Sequence, residues 1–271
     1  MHAPPPPPTD RRTRTAGSAG PDTLMLIAAV ALGGATGFGL LGSAMGSAIT
    51  GNANGSVSDN SVSDDGTVAL TSAAAEGHVP ADGPTTAGID VSYWQGTIDW
   101  NQVASSGVEY AYMRVSDGTT FMDPKFQENW ANSQAAGVRR GAYQFYRPNQ
   151  DPIEQAKLFV EQMGPLGPND LPPMLDLEVG SQAGVSPQQL VEGALAWARY
   201  VEEATGRRPV IYAGYYFWNA DAGGSDAFAD YPFWVPNYSS EWPLVPDPWQ
   251  TWTFFQHSAT GRVPGIAGDV D

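Results

Sequence analysis

From residue 87 onward, short apolar runs alternate with longer stretches of helical period. The runs are rich in Val, Ile, Tyr, Phe and Trp and predict strands at 88–92, 110–115, 141–145, 174–178, 210–213, 233–235 and 252–256, with a last one near Val270. Three intervening stretches predict helices: 124–136, stopped by Gly137; 152–163; and one opened by Ser186-Pro187 that runs to Thr205 before Gly206. An N-capping side chain, Pro in the first turn and Gly just past the end are the expected punctuation. Strand alternating with helix implies βα units around a mainly parallel sheet. Beyond Gly206 the segments between strands are Trp- and Pro-rich with weak helical period. The fold class predicted is therefore α/β: an irregular (β/α) barrel, TIM-like, with helices missing or reduced in its C-terminal half.

The first 86 residues follow other rules. Residues 1–23 hold five consecutive prolines and then Arg11, Arg12 and Arg14, a composition that cannot bury apolar area and predicts a disordered tail. Residues 24–49 carry no charge and are long enough to cross a hydrocarbon core of about 30 Å. The positive flank predicts a single-pass anchor with the N-terminus inside. Small residues around Ser43-Ala44 and Ser47-Ala48 resemble signal-peptidase sites, so a cleaved signal peptide is the other reading of 24–50. Either way the remainder is placed outside the cytoplasm, in the cell envelope or secreted. Residues 51–86 are Gly, Ser, Asn, Asp and Ala with few large apolar residues, a flexible acidic linker leading to one domain at 87–271.

Charge and composition remove several classes of function. With 13 basic and 29 acidic residues the net charge is 13 − 29 = −16, and the globular part has no basic run to neutralise phosphates, which argues against nucleic acid as a partner. The absence of cysteine excludes thiol catalysis and Cys-ligated zinc, and the three scattered histidines, His2, His78 and His257, make no metal site. No cofactor is expected. All 9 Trp lie after residue 90, where a core or a sugar-binding surface would use them.

The candidate chemistry lies in carboxylates. In Met174-Leu175-Asp176-Leu177-Glu178 two acids stand at i and i+2 of an apolar run, so both face the same side of one strand. Burial raises a carboxyl pKa and a neighbouring carboxylate raises one of a pair further, which lets one acid keep its proton while its partner ionises. Glycoside cleavage needs that division. Asp90 ends another apolar strand, and Asp269 and Asp271 flank Val270 at the other end of the domain. Any one of these acids reads equally well as a helix cap or loop salt bridge; their joint occurrence at several strand ends favours a site. Asp99, Asp117 and Asp123, beside Gly or Pro or in turn-like runs, read as turn or cap residues.

These residues stand in an order that resembles the glycoside hydrolase family 25 lysozymes. The matching motifs are Gly88-Ile89-Asp90-Val91-Ser92 with Trp94-Gln95-Gly96, Asp117-Gly118 with Asp123-Pro124, Gly141-Ala142-Tyr143 with Phe145, Asp176-Leu177-Glu178, Pro209-Val210-Ile211-Tyr212, Trp234-Val235 with Tyr238, Trp252-Thr253-Phe254 with Gln256, and Val270-Asp271. The resemblance covers about 88–271. It implies a monomeric enzyme acting on peptidoglycan glycan strands, a muramidase that cuts the β-1,4 bond between N-acetylmuramic acid and N-acetylglucosamine. It also implies catalytic roles for Glu178 as general acid and then base, supported by Asp176, Asp90 and Asp271, and substrate contacts from Tyr143, Tyr212, Trp234, Tyr238 and Gln256. Asp176 either orients the substrate's acetamido group or acts more directly; root spacing of about 6.5–7 Å between i and i+2 does not choose.

This sequence departs from the family pattern at Gln144, where many members have His, at Arg114-Val115-Ser116 and at Pro236-Asn237. Those departures bear on substrate subsites more than on catalysis. Because the sequence stops at Asp271, the last strand is expected to be weakly secured. A non-catalytic peptidoglycan-binding module of an envelope assembly is the competing reading.

Overall fold

The computed structural model describes residues 78–271 and, as backbone alone, the strand β1 (Ala28–Ala31). The tail, the rest of the apolar span 24–49 and most of the linker lie outside the described residues. Among the described residues no helix is long and apolar enough to cross a membrane.

Seven strands run parallel in a curled sheet: β2 (Thr85–Val91), β3 (Tyr110–Asp117), β5 (Arg139–Phe145), β6 (Met174–Leu177), β7 (Val210–Ala213), β8 (Phe233–Pro236) and β9 (Phe254–Gln256). The seven predicted strands between 88 and 256 are all present, with ends shifted by a few residues. The hairpin strand β4 (Phe121–Met122) pairs back onto β3. β1 pairs antiparallel with both β2 and β9, between the two ends of the parallel set. The strand expected near Val270 is a single bridge, Gly261 to Val270. Gly265 and Gly268, at φ 96° and 102°, hold that segment in turns that a continuous strand would not allow. Residues 78–86 are drawn onto the domain, for the Trp252 indole donates to Val79 O (2.9 Å) and β2 opens at Thr85.

The helices follow their caps. α1 (Trp100–Ser105) starts where Asp99 accepts from the N–H groups of Asn101 and Gln102. α2 (Phe126–Ala135) begins two residues after the predicted start because Asp123 first binds the Lys125 N–H in a turn. α3 (Pro152–Met163) is capped by Asp151, and α4 (Pro187–Thr205) by a reciprocal Ser186/Gln189 box, ending at left-handed Gly206. After β7 there is only the short α5 (Tyr215–Ala220). In place of further helices, buried rings cover that side: Trp249 stacks on Phe233 at 4.0 Å and meets Trp218 edge-on at 4.7 Å.

Period-2 alternation divides the sheet into two faces. Ile89, Ala111, Met113, Leu175, Ile211 and Phe255 face the helices. Tyr110, Tyr112, Tyr143, Met174, Val210, Tyr212, Trp234 and Phe254 fill the interior. Gly88 and Gly141 make room for this filling, since a Cβ at Gly88 would lie 1.9 Å from the Tyr110 ring and one at Gly141 2.4 Å from the Tyr112 ring. On the outer side Arg140 and Asp170 form a buried two-bonded ion pair (2.8 and 3.1 Å) with the guanidinium over the Trp130 ring, tying β5 to the loop before β6.

Candidate active site

The interior rings form a floor, and the next inward positions above it are acids. On β2, Gly88 is followed two residues on by Asp90; on β6, Met174 is followed by Asp176 and then by Glu178 just past the strand end. A parallel barrel collects its chemistry at this C-terminal rim. Asp271 is brought there by the chain's return, its carbonyl accepting the Asp90 N–H at 3.1 Å. The four acids named from the sequence thus meet in one place. A cleft of about 620 Å³ opens there, its walls including Asp90, Glu178 and Asp271, with Trp94, Tyr143 and Arg147, while Asp176 is covered.

Crowding four carboxyls into this space changes their ionisation. Burial pushes Glu178 up to about 7, against a hydrogen bond with Tyr212 and the nearby Arg147 guanidinium, which both favour the carboxylate. Asp271 is pushed up to about 10, by burial first and then by the charges of Asp90 and Glu178. Asp90 is raised by burial in spite of the Gln256 amide that donates to it. Asp176 is raised by burial and by the charges of Glu178 and Asp90; it is wholly covered and neither oxygen has a hydrogen-bond partner. Carboxyls this close cannot all ionise together, so the group holds protons into the neutral range.

A family model described as glycosyl hydrolases family 25 matches residues 89–266. The chain belongs to glycosyl hydrolase family 25. Lysozyme M1 of Streptomyces globisporus is 39% identical over 201 residues, covering 71% of this chain and 68% of the relative. An N,O-diacetylmuramidase of Chalaropsis sp is 28% identical over 203 residues, 69% of this chain and 96% of the relative. Among solved structures, a bacterial lysozyme from Streptomyces coelicolor superposes with a TM-score of 0.65 at 39% identity, covering 68% of this chain and 88% of that one. The family 25 lysozyme of Aspergillus fumigatus gives a TM-score of 0.62 at 30% identity, over 68% of this chain and 92% of that one. The expected family and the TIM-like fold class are borne out, and the chain is a glycoside hydrolase of the lysozyme and muramidase kind.

Within this family 25 hydrolase, the five residues expected to touch substrate divide by depth. Tyr238 stands 48% exposed beyond β8, and Tyr143, itself buried, reaches the cleft wall with little of its surface. Tyr212, Trp234 and Gln256 are buried, Trp234 inside the barrel against Tyr112 (5.0 Å) and Phe254 (4.9 Å). Trp94, 61% exposed beside Tyr143 in the cleft lining, is the ring best placed to meet a sugar face.

Of the departures from the family pattern, Gln144 is not in the cleft. It points outward from β5 and is fully bonded, donating to Ser116 Oγ (2.7 Å) and accepting from the Trp197 indole (2.6 Å) of α4. The signal was available: Tyr143 points inward, so its neighbour points out. Arg114 does reach the cleft, held by Asp123 at 3.2 Å and lying over Tyr93. Asp117, read as a turn residue, binds Arg147 through two bonds of 2.5 and 2.6 Å on the cleft wall. Sequence alone gave no sign of that pair, because it depends on β3 lying beside β5 with a shift of register between Arg114 and Ser116. Among the described residues no group of three or more His, Asp or Glu is set to hold a metal ion.

Proposed function

We propose that this hydrolase is an N-acetylmuramidase that cleaves the β-1,4 bond between N-acetylmuramic acid and N-acetylglucosamine in peptidoglycan, with Glu178 as the proton donor. The observation that carries the reading is Glu178 itself: a carboxyl on the cleft wall, raised to about 7, among acids that burial has raised as well. A group poised there gives its proton to the leaving glycosidic oxygen near neutral pH and, as carboxylate, takes one from the incoming water.

Asp176 fits the supporting role. Its two unpartnered oxygens are a reason for a donor to arrive with substrate, and the N–H of an acetamido group is such a donor. With that group oriented, its carbonyl oxygen attacks the anomeric carbon as the bond to the leaving oxygen breaks; water then opens the ring so formed, with net retention. Asp90 and Asp271, raised by burial, keep the cluster partly protonated, and the charge the cluster does carry faces the positive charge that develops at the sugar ring. The enzyme's place is outside the cytoplasmic membrane, where such a glycan lies.

The test is Glu178→Gln in the full chain. Release of reducing ends from purified peptidoglycan should be lost while the far-UV spectrum and thermal midpoint stay as they were; full activity in the variant would overturn the assignment. Mass spectrometry of the digest should show muramic acid at the new reducing ends. Sedimentation with walls but no release by the unaltered chain would favour a binding module.

A further inference from the structure

Gln256, at the end of β9, is wholly buried with both ends of its amide engaged. Its Nε2 donates to Asp90 Oδ2 at 3.0 Å, and its Oε1 accepts from the hydroxyls of Tyr212 (2.7 Å) and Tyr238 (3.0 Å). These partners fix the orientation of the amide, nitrogen to carboxylate and oxygen to hydroxyls. Asp176 and Tyr212 are register partners across β6 and β7, so Glu178, two residues further along the same face, lies next to the Tyr212 side chain, and its carboxyl is the second acceptor for that hydroxyl. One hydroxyl has one proton to donate. A protonated Glu178 competes poorly for it, whereas an ionised Glu178 is the stronger acceptor by virtue of its charge.

We propose that Gln256 is a positioning residue that makes Tyr212 a two-position donor, hydrogen-bonded to Gln256 while Glu178 keeps its proton and turned to Glu178 once that proton has left. The proposal rests on Glu178 being the acid and base. Tyr212 keeps its own proton throughout, since burial holds its pKa high. Tyr238 remains on the Gln256 oxygen when Tyr212 turns away, so the carbonyl keeps a partner in both positions. The arrangement stabilises the carboxylate of Glu178 only in the half of the cycle that needs a base. It leaves the acid undisturbed in the other half.

Other groups act on Glu178 as well: the acids Asp90, Asp176 and Asp271, the cation Arg147 and the hydroxyl of Tyr238. Arg114 and Asp117 lie one step further, acting on Asp176. A plain space-filling role for Gln256 has to be separated from a role exerted through Tyr212.

The experiment is a cycle of Tyr212→Phe, Gln256→Met and the double variant in the full chain. Each protein is followed by the alkaline limb of kcat/KM on solubilised peptidoglycan and by carboxyl ¹³C NMR titration of Glu178. Tyr212→Phe removes the donor and should move the limb and the titration upward by about one pH unit. Gln256→Met leaves Tyr212 with Glu178 alone and should move both downward. In the Tyr212→Phe background, adding Gln256→Met leaves only the effect of freeing the Asp90 carboxyl, and the downward shift should be clearly smaller. Shifts of the same sign in the two single variants, or a downward shift on adding Gln256→Met that is as large without Tyr212 as with it, would overturn the proposal. Tyr238→Phe, at a half-exposed position, gives a milder check should a buried variant fold poorly: it leaves Tyr212 as the donor to Gln256, and the Glu178 titration should rise. A fall or no change there counts against the relay. If the unaltered chain cuts no peptidoglycan, the assignment of function fails, while the NMR titrations still decide the relay.

Discussion

Gly141→Ala tests how the floor beneath the acids is built. A methyl group at this position would lie 2.4 Å from Tyr112 Cε1, 2.6 Å from Cδ1 and 2.7 Å from Cζ. Carbon contacts settle at about 3.5–4.0 Å, so the ring would have to withdraw by roughly 1 Å. It has nowhere to go: its hydroxyl donates to Pro172 O at 3.0 Å, and its faces and edges meet Trp234 at 5.0 Å and Phe254 at 5.6 Å. Overpacking of this kind costs about 1–3 kcal/mol, and a ring so closely held belongs at the upper end. Equilibrium urea unfolding, followed by Trp fluorescence, should show a lower midpoint at unchanged slope. The mechanism is checked by repeating the change in a Tyr112→Ala background. That background is itself less stable, but the clash is gone and Gly141→Ala should then cost little, giving a coupling of about 1–3 kcal/mol. A loss under about 0.5 kcal/mol in the unaltered chain, or an equal loss in both backgrounds, would refute the packing argument.

Two further outcomes follow from the acids and the rim. Asp176 has a folded pKa raised above its unfolded value of about 3.9, so what it contributes to stability is present below that value and is lost as the pH rises through its folded pKa. Asp176→Asn should therefore leave the urea midpoint nearly unchanged at pH 4 and raise stability at pH 8 by about 1 kcal/mol or more, while depressing muramidase turnover; a variant less stable than its parent at pH 8 contradicts the buried, unpartnered state. Trp94→Ala should raise KM on glycan strands by about two- to tenfold with kcat and thermal midpoint little changed, as expected for a lost stacking surface. An unchanged KM would remove Trp94 from the substrate path.

What could be read from the sequence was whatever depends on period and punctuation. The i, i+2 spacing put Asp176 and Glu178 on one face, and the same period places Asp90 above Gly88. The long helices announced themselves through Asp151-Pro152 and Ser186-Pro187, while α1 and α5, six residues each, are too short to show a helical period. Depth was not legible. Tyr143, Trp234 and Gln256 sit on strands and look as available as Tyr238, yet all three are buried, and Gly141 lets the Tyr112 ring fill the interior against Trp234. Asp269 and Asp271 stood out together beside Val270, and only the order of family motifs chose Asp271, because its approach to Asp90 depends on a turn-rich return with no periodicity to detect.

That return also sets how the enzyme will fail. Asp271 is held beside Asp90 by a segment closed on itself by the Gly261–Val270 bridge and tied to the barrel by the burial of Val263 and Val270 and a handful of hydrogen bonds: Asp90 N–H to Asp271 O at 3.1 Å, Asp99 N–H to Gly265 O at 2.9 Å, and the Gln95 amide to Asp269 O at 3.3 Å. Segments secured by a handful of hydrogen bonds open at far lower free energy than a sheet core. Heating or mild denaturant will thus disperse the acid cluster while the seven strands are still assembled, so that loss of hydrolysis precedes loss of the barrel.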